Sequence, residues 1–345
     1  MNQKILLGTY TKRKSEGIYS IELDVTEKKL KNLKKEIPVE SPTYLAGNEG
    51  YSLLFSIAKS PDGKGGIKSF KKSTDGLYAE VDSLFEEGAP PCYIAYDQTE
   101  NLVLTANYHK GEVCVYQTSA EGELSLLDKN THSGKSVHEN QKSPHAHYFD
   151  LTPDGQFLIA CDLGTDEVVL YTLDEDNKLT VSDIIPVTPG TGPRHVVFHP
   201  NNRFAYVFGE LSSDVLVFNY NSKNGTLSPI QTISSIPHEH EAFNGGAAIR
   251  VSSDGKFVYA SNRGHDSIVT YKVAEDGTLS LVNYTPTEGQ IPRDFNLDPS
   301  EDFIVVGHQD SDNLTLFERN KENGTLTLLQ KDVYAPEVIC IKFES

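Results

Sequence analysis

The residues able to do chemistry in this sequence come in short clusters beside apolar runs. His145-Ala146-His147, Pro193-Arg194-His195, Pro292-Arg293-Asp294 and Pro336-Glu337 each precede such a run. Tyr10, Asn107-Tyr108-His109, Asp162, Glu210, Asn262-Arg263 and Gly307-His308 each follow one. The set offers imidazoles that titrate near neutrality, guanidinium groups that match anionic oxygens, and carboxylates. Brought together, these groups suit general acid–base chemistry with a cationic partner for a developing oxyanion. For any single member, the plainer alternative is a polar side chain that bonds water or loop backbone. Two arginines beside a histidine and a glutamate in an acidic chain are harder to explain that way.

Other chemistries have less support. His145 and His147 are two apart, a spacing that on a strand projects both to one face and could ligate a metal. His238-Glu239-His240-Glu241 offers a similar cluster but reads as a solvated or channel-lining loop. No set of hard oxygen ligands accompanies either, and neither a metal nor an organic cofactor is expected. The glycines of Gly63–Gly66 and Gly245-Gly246 lack the strand-to-helix context of a phosphate loop. No Gly-x-Ser-x-Gly elbow is present, so activated water is a better nucleophile than a serine. Cys92, Cys114, Cys161 and Cys340 show no Cys-x-x-Cys spacing and sit in apolar stretches, as small buried hydrophobes of a reducing compartment do.

The elements that must position these residues form a repeat. A turn followed by Leu recurs along the chain, most clearly at Glu121-Gly122-Glu123-Leu124, Asn224-Gly225-Thr226-Leu227, Asp276-Gly277-Thr278-Leu279 and Asn323-Gly324-Thr325-Leu326. Weaker copies end at Leu30, Leu77 and Leu179, which gives seven copies spaced by 47 to 55 residues. That period lies within or just above those of propeller blades. A second turn recurs at Pro61-Asp62-Gly63, 97–100, Pro153-Asp154-Gly155, Pro200-Asn201-Asn202, Ser253-Asp254-Gly255 and Pro299-Ser300-Glu301, six times rather than seven. The termini fall where the seventh would be. Segments between turns are β-branched and aromatic with period two, and no long helical stripe is visible.

Four strands per unit and seven units predict an all-β fold, one seven-bladed β-propeller over residues 1–345. The segment at 338–343 should pair with the segment at 4–10 inside one blade. With no Trp, the chain lacks the Trp-Asp mark of the commonest propeller class. Calling the innermost strand a and its hairpin partner b, the starts of strands a and the ends of strands b meet at one mouth of the channel. The clusters above occupy those positions.

Composition narrows the partners. The 345 residues carry a net charge of −18, with 49 acidic against 31 basic side chains. Such a surface repels phosphate backbones and anionic lipid, so neither nucleic acid nor membrane is expected as a partner. Near the start only Ile5, Leu6 and Leu7 cluster, too short for a signal-peptide core, and a cytoplasmic location is expected. The chain is expected to act as a monomer or weak homodimer.

Across its whole length the sequence resembles the seven-bladed lactonase family. The marks are Gly8-Thr9-Tyr10-Thr11, Pro144-His145-Ala146-His147, Gly192-Pro193-Arg194-His195, Gly209-Glu210 and the stretch from Ser261-Asn262-Arg263-Gly264 to Ile268. One departure is Gly246-Ala247-Ala248, where strand a elsewhere starts at Pro. The resemblance implies hydrolysis of a small anionic sugar lactone, most specifically 6-phospho-D-glucono-1,5-lactone of the pentose phosphate pathway. It places the catalytic set on His147, Arg194, Glu210 and Arg263, with His145 as an alternative to His147. In that reading His147 is the base. One of the two arginines meets the oxyanion and the other the phosphate, and Glu210 orients an arginine or protonates the leaving oxygen. Tyr10, Asn107, Tyr108, His145, His195, Asn262 and His308 are the expected substrate-binding residues around it. The rivals are a carboxymuconate-type cycloisomerase and a non-catalytic propeller that binds a metabolite or protein at its mouth.

Overall fold

In the computed structural model, residues 2–344 are described, and they form seven four-stranded antiparallel sheets. Strand a of the successive blades runs over Leu45–Gly47, Tyr93–Asp97, Ala146–Leu151, Pro193–Phe198, Gly245–Val251, Pro292–Leu297 and Val338–Phe343, here blades 1 to 7. The last of these pairs with strand b of blade 7, Asn2–Thr9, with Ile5 opposite Phe343 and Leu7 opposite Ile341. The ring therefore closes as the missing seventh turn predicts, and the closing pair protects both strands from exposed edges. Among the described residues the helical content is one short 3-10 turn, Glu49–Tyr51.

The recurrent Gly and Leu of the outer turns lock one blade to the next. Gly277 has φ +84°, and a Cβ there would meet Phe204 Cδ1 at 2.4 Å. Gly324 stands the same way against Phe257. Glycine is needed twice over, for the positive φ and for the close approach to an aromatic ring. The following Leu is held by side chains of the preceding blade. Leu279 donates its N–H to Gln231 Oε1 at 2.7 Å, while Gln231 Nε2 donates to the Leu279 carbonyl at 2.8 Å. Gln330 makes the same pair of bonds to Leu30 across the closing blade. Asp82 and Asp128 accept from the N–H of Leu124 and Leu179. Apolar side chains fill the space between blades: Ile5, Leu7 and Ile21 of blade 7 pack with Phe303, Val305 and Leu314 of blade 6.

One local device recurs at the channel mouth. Near the start of strand a the register shifts by one residue in blades 3, 4, 5, 6 and 7. Pro193 lies opposite Gly209 and His195 opposite Phe208, which leaves Arg194 unpaired between them. The same count isolates His147, Arg293 and Ile339. A β-bulge inserts one residue and re-aims its side chain, so two successive residues of each strand a face the channel instead of one.

Candidate active site

The bulged residues and the residues that follow strand b surround a cavity of about 580 Å³ at the channel mouth. Its wall takes His147, Arg194, Arg293 and Ile339 from strands a, Thr43 and Cys92 from just ahead of two others, and Tyr10, Tyr108, Glu210 and Arg263 from the ends of strands b. His195 and Asp294, each one residue deeper than a bulge, also line it, as does Tyr44 of blade 1. The His195 ring lies 5.6 Å from those of Tyr93 and Tyr148 and 6.3 Å from that of Tyr44, so an aromatic layer closes the channel beneath. Asp294 is committed there: Arg250 donates to one of its oxygens at 2.8 Å and the Ile341 N–H to the other at 2.8 Å.

Three of the four residues carried by the resemblance form one ionic unit. Glu210 Oε2 accepts from Arg194 Nε at 3.0 Å and from Arg263 Nη2 at 2.8 Å. The guanidinium groups are fixed further by carbonyls of blade 5. Arg194 Nη1 donates to Ala247 O at 2.7 Å, and Arg263 donates to Gly245 O at 3.2 Å and Gly246 O at 2.8 Å. Close approach to this backbone explains the glycines: a Cβ on Gly245 would stand 3.0 Å from Arg263 Nη2. The strand start that departs from the Pro pattern is thus the one whose carbonyls hold both arginines. Burial alone would raise the Glu210 pKa, but Arg263, Arg194 and Arg293 overcome it and hold the carboxyl below its ordinary value. Glu210 is therefore a fixed anion, suited to positioning arginines. Of the two roles the resemblance gives it, protonating a leaving oxygen is the one this environment works against.

His147 is the fourth. It is buried, its ring lies 5.2 Å from that of His195 and 6.1 Å from that of Tyr108, and Nδ1 has no protein partner. Burial, reinforced by Arg194, Arg293 and Arg263, holds its pKa well below the ordinary imidazole value. The ring is neutral at pH 7, as a base must be. Its neighbour His195 is neutral for the same reasons, and its Nε2 accepts from Arg194 Nη1 at 3.3 Å.

The other expected residues divide. Tyr10, Tyr108 and His195 line the cavity. His145 lies just outside strand a and stacks on Tyr108 at 4.1 Å, with Nδ1 donating to the Tyr108 carbonyl at 2.8 Å. It supports Tyr108 from behind, and the bulge separates it from His147 despite the two-residue spacing. Asn107 and His308 close strands b and Asn262 is the last residue but one of another, and their side chains turn to backbone rather than to the channel. Asn107 accepts from the N–H groups of His109 and Lys110, Asn262 donates to Ser235 O at 2.7 Å, and His308 Nδ1 donates to Asn313 O at 3.1 Å. In two of these pairs the next residue, Tyr108 or Arg263, is the one that faces the cavity. Glu337, grouped in the sequence with the strand starts, is buried beside the mouth and accepts from the N–H groups of Lys12, Arg13, Lys14 and Ser15.

Arg293 lines the cavity without belonging to the set that the resemblance supplies, and Cys92 and Lys12 join it without having stood out as candidates. The signal for Cys92 was present: Pro91-Cys92 repeats the Pro193-Arg194 and Pro292-Arg293 pattern, with Pro just before the inward residue. Burial pushes the Cys92 thiol up to about 11, so it is protonated at neutral pH and a poor nucleophile. Among the described residues no group of three or more His, Cys, Asp or Glu side chains is arranged to hold a metal ion.

Known proteins share this architecture. The family model described as "Lactonase, 7-bladed beta-propeller" matches residues 4–343. The chain is 43% identical over 340 residues to the 6-phosphogluconolactonase of Bacillus subtilis, covering 98% of this chain and 97% of that protein. It is 49% identical over 344 residues to an uncharacterized protein of Lactococcus lactis subsp. lactis, with 99% of each covered. A crystal structure of a Lactobacillus plantarum protein superposes with a TM-score of 0.96 at 41% identity, covering 99% of both chains. The periplasmic gluconolactonase of Pseudomonas aeruginosa superposes at 0.92 and 30% identity, also over 99% of both. The chain belongs to the lactonase family of seven-bladed β-propellers.

Proposed function

We propose that the protein hydrolyses 6-phospho-D-glucono-1,5-lactone to 6-phosphogluconate by general-base attack of water. One observation carries the reading: a neutral histidine shares a cavity with two arginines braced on one glutamate. A δ-lactone is a cyclic ester whose carbonyl oxygen gains charge as water adds. His147 takes a proton from the attacking water, and Arg194 and Arg263 face the carbonyl oxygen as it becomes an oxyanion. The tetrahedral adduct then collapses, the bond from C1 to the ring oxygen breaks, and the imidazolium returns its proton to that oxygen. The arginine field that depresses the His147 pKa also makes the imidazolium a ready acid for this second step.

The Bacillus subtilis relative bears the name of this activity, and the Pseudomonas aeruginosa neighbour that of the unphosphorylated counterpart. Membership of the family therefore supports a lactone ester, and the positive mouth in a chain of net charge −18 supports an anionic one. The four free thiols accord with work in the cytoplasm, and among the described residues no helix is long and apolar enough to cross a membrane. The test is hydrolysis of freshly prepared phosphogluconolactone by purified protein near pH 7, with and without a chelator, measured against spontaneous hydrolysis. A rate well above that background, unaffected by chelation, is expected; a rate equal to background refutes the proposal.

A further inference from the structure

Charge at the cavity mouth is not evenly shared. Arg194 and Arg263 divide one carboxylate between them, and the basic loop after Tyr10 is mostly spent as well. Arg13 pairs with Asp312 at 2.8 Å, and Lys14 reaches the same carboxylate at 3.4 Å. Two cations are left over. Arg293 makes one long hydrogen bond, to the neutral Gln309 side chain at 3.4 Å, and its guanidinium lies 5.8 Å from the centre of the Tyr10 ring. Lys12 holds its ammonium 4.1 Å from the centre of that ring. Among the described residues neither forms an ion pair with a carboxylate. Both line the same cavity as His147, together with Tyr10.

The loop that presents Lys12 is held in place from inside. Glu337, itself buried, accepts from the N–H groups of Lys12 at 3.0 Å, Arg13 at 2.9 Å, Lys14 at 2.8 Å and Ser15 at 2.9 Å. An exposed lysine on a loop fixed this way is a positioned charge. The placement in the ring also matters. Arg293 belongs to blade 6 and Tyr10 and Lys12 follow strand b of blade 7, whereas His147 belongs to blade 3. In a seven-membered ring these stand on opposite sides of the mouth. In a 6-phosphorylated 1,5-lactone the phosphate hangs from C6, outside the ring and beyond the ring oxygen from the ester carbon, so it needs partners other than those that face the carbonyl oxygen.

We propose that Arg293, Lys12 and Tyr10 form a subsite for the phosphate of a 6-phosphorylated sugar lactone, across the mouth from His147 and separate from the Arg194–Glu210–Arg263 unit. The assignment rests on the lactonase reading. It moves the phosphate away from Arg194 and Arg263, one of which the sequence reading gave to it, and leaves both for the ester. The guanidinium fork and the ammonium supply charge-assisted hydrogen bonds to a dianion, and the tyrosine hydroxyl adds a donor.

The test compares two substrates and two product acids on the whole protein. In Arg293→Gln and Lys12→Gln, and in the double variant, the ratio of kcat/KM for phosphogluconolactone to that for D-glucono-1,5-lactone should fall, by about 10- to 100-fold for the double variant. Calorimetry should show 6-phosphogluconate binding more tightly than gluconate to the wild type, with that preference lost in the double variant. Lys12 is exposed, so Lys12→Gln folds even if Arg293→Gln does not, and Arg293→Lys then reads the same ratio with a smaller fall. A double variant that retains the wild-type ratio overturns the subsite, as does a wild type that binds both acids alike. Should the wild type hydrolyse neither lactone yet bind 6-phosphogluconate through Arg293 and Lys12, the hydrolytic reading fails and the subsite stands.

Discussion

The same bulge near the start of strand a presents His147, Arg194 and Arg293 in blades 3, 4 and 6, and Ile339 in blade 7. Thr43 and Cys92 line the cavity from the corresponding places in blades 1 and 2. Backbone geometry is shared around the ring, and the chemistry is confined to one arc of it. The reactive arc is also where the supporting contacts have been altered. Blade 5 gives up its Pro and its large side chain, offering Gly245, Gly246 and Ala247 carbonyls to both arginines. The repeat thus supplies seven equivalent positions, and function depends on which few are made polar and what is removed beside them.

The sharpest way to break this comparison is at His147. His147→Ala should lower kcat by about 10²- to 10⁴-fold with the fold intact, as removal of a general base does. Steady-state kinetics with circular dichroism reads both, and an unchanged kcat would shift the base to His195 or Glu210. The pH profile sharpens the same point. Only the neutral ring accepts a proton, and the pKa of His147 is depressed, so activity should be flat near pH 7 and fall only below the ordinary imidazole value of about 6.5.

A histidine behind the wall should behave differently. His308 is buried with its pKa lowered to about 4, by burial first, and it has no place in the catalytic set. An unfolded chain would protonate it below about pH 6.5 while the folded protein does not. The stability it contributes is therefore present above pH 6.5 and lost as pH falls from there towards 4, by about 3 kcal/mol. Denaturant midpoints for wild type and His308→Asn between pH 7 and 4 test this, and equal slopes for both would refute it.

Glu210→Gln should cost less, about 1–2 kcal/mol of stability, because the carboxylate is partly exposed and the arginines keep their carbonyl partners. Its kcat should fall with stability largely kept, which chemical denaturation beside kinetics can separate. Cys92→Ala on the quiet arc is the smallest change. The thiol is protonated and bonds weakly to carbonyls at 3.6 Å, so kcat should stay within about threefold and stability within about 1 kcal/mol. A large loss there would mean that the quiet arc takes part.

The blade count and the closing strand pair were legible because they rest on local chemistry that repeats: a Gly with positive φ, then a Leu held by the neighbouring blade. Convergence of His147, Arg194, Glu210 and Arg263 on the mouth was legible from their places at strand ends. The facing of individual side chains was not. Asn107 and His308 end strands, Asn262 and Arg263 are the last two residues of another, and Tyr108 follows one; one residue of register decides which enters the channel. Alternation also placed His145 and His147 on one face, which a bulge undoes. The loop bearing Lys12 depends on Glu337, 325 positions away, a contact that no local pattern announces.

The shared blade has a consequence for the order of events during synthesis. Strand b of blade 7 is synthesised before the other six blades and strand a after them, so Leu7 waits for Ile341. At roughly 5–20 residues per second that interval is about 15 to 70 seconds, during which the other blades can stack while the first-made strand keeps an open edge. The nascent ring is exposed to mispairing until its final six-residue strand arrives. The same strand carries Ile339 into the cavity wall and follows directly on Glu337, so the loop that holds Lys12 is organised only at that moment. A chain stalled just short of that strand would keep its blades but have no finished mouth.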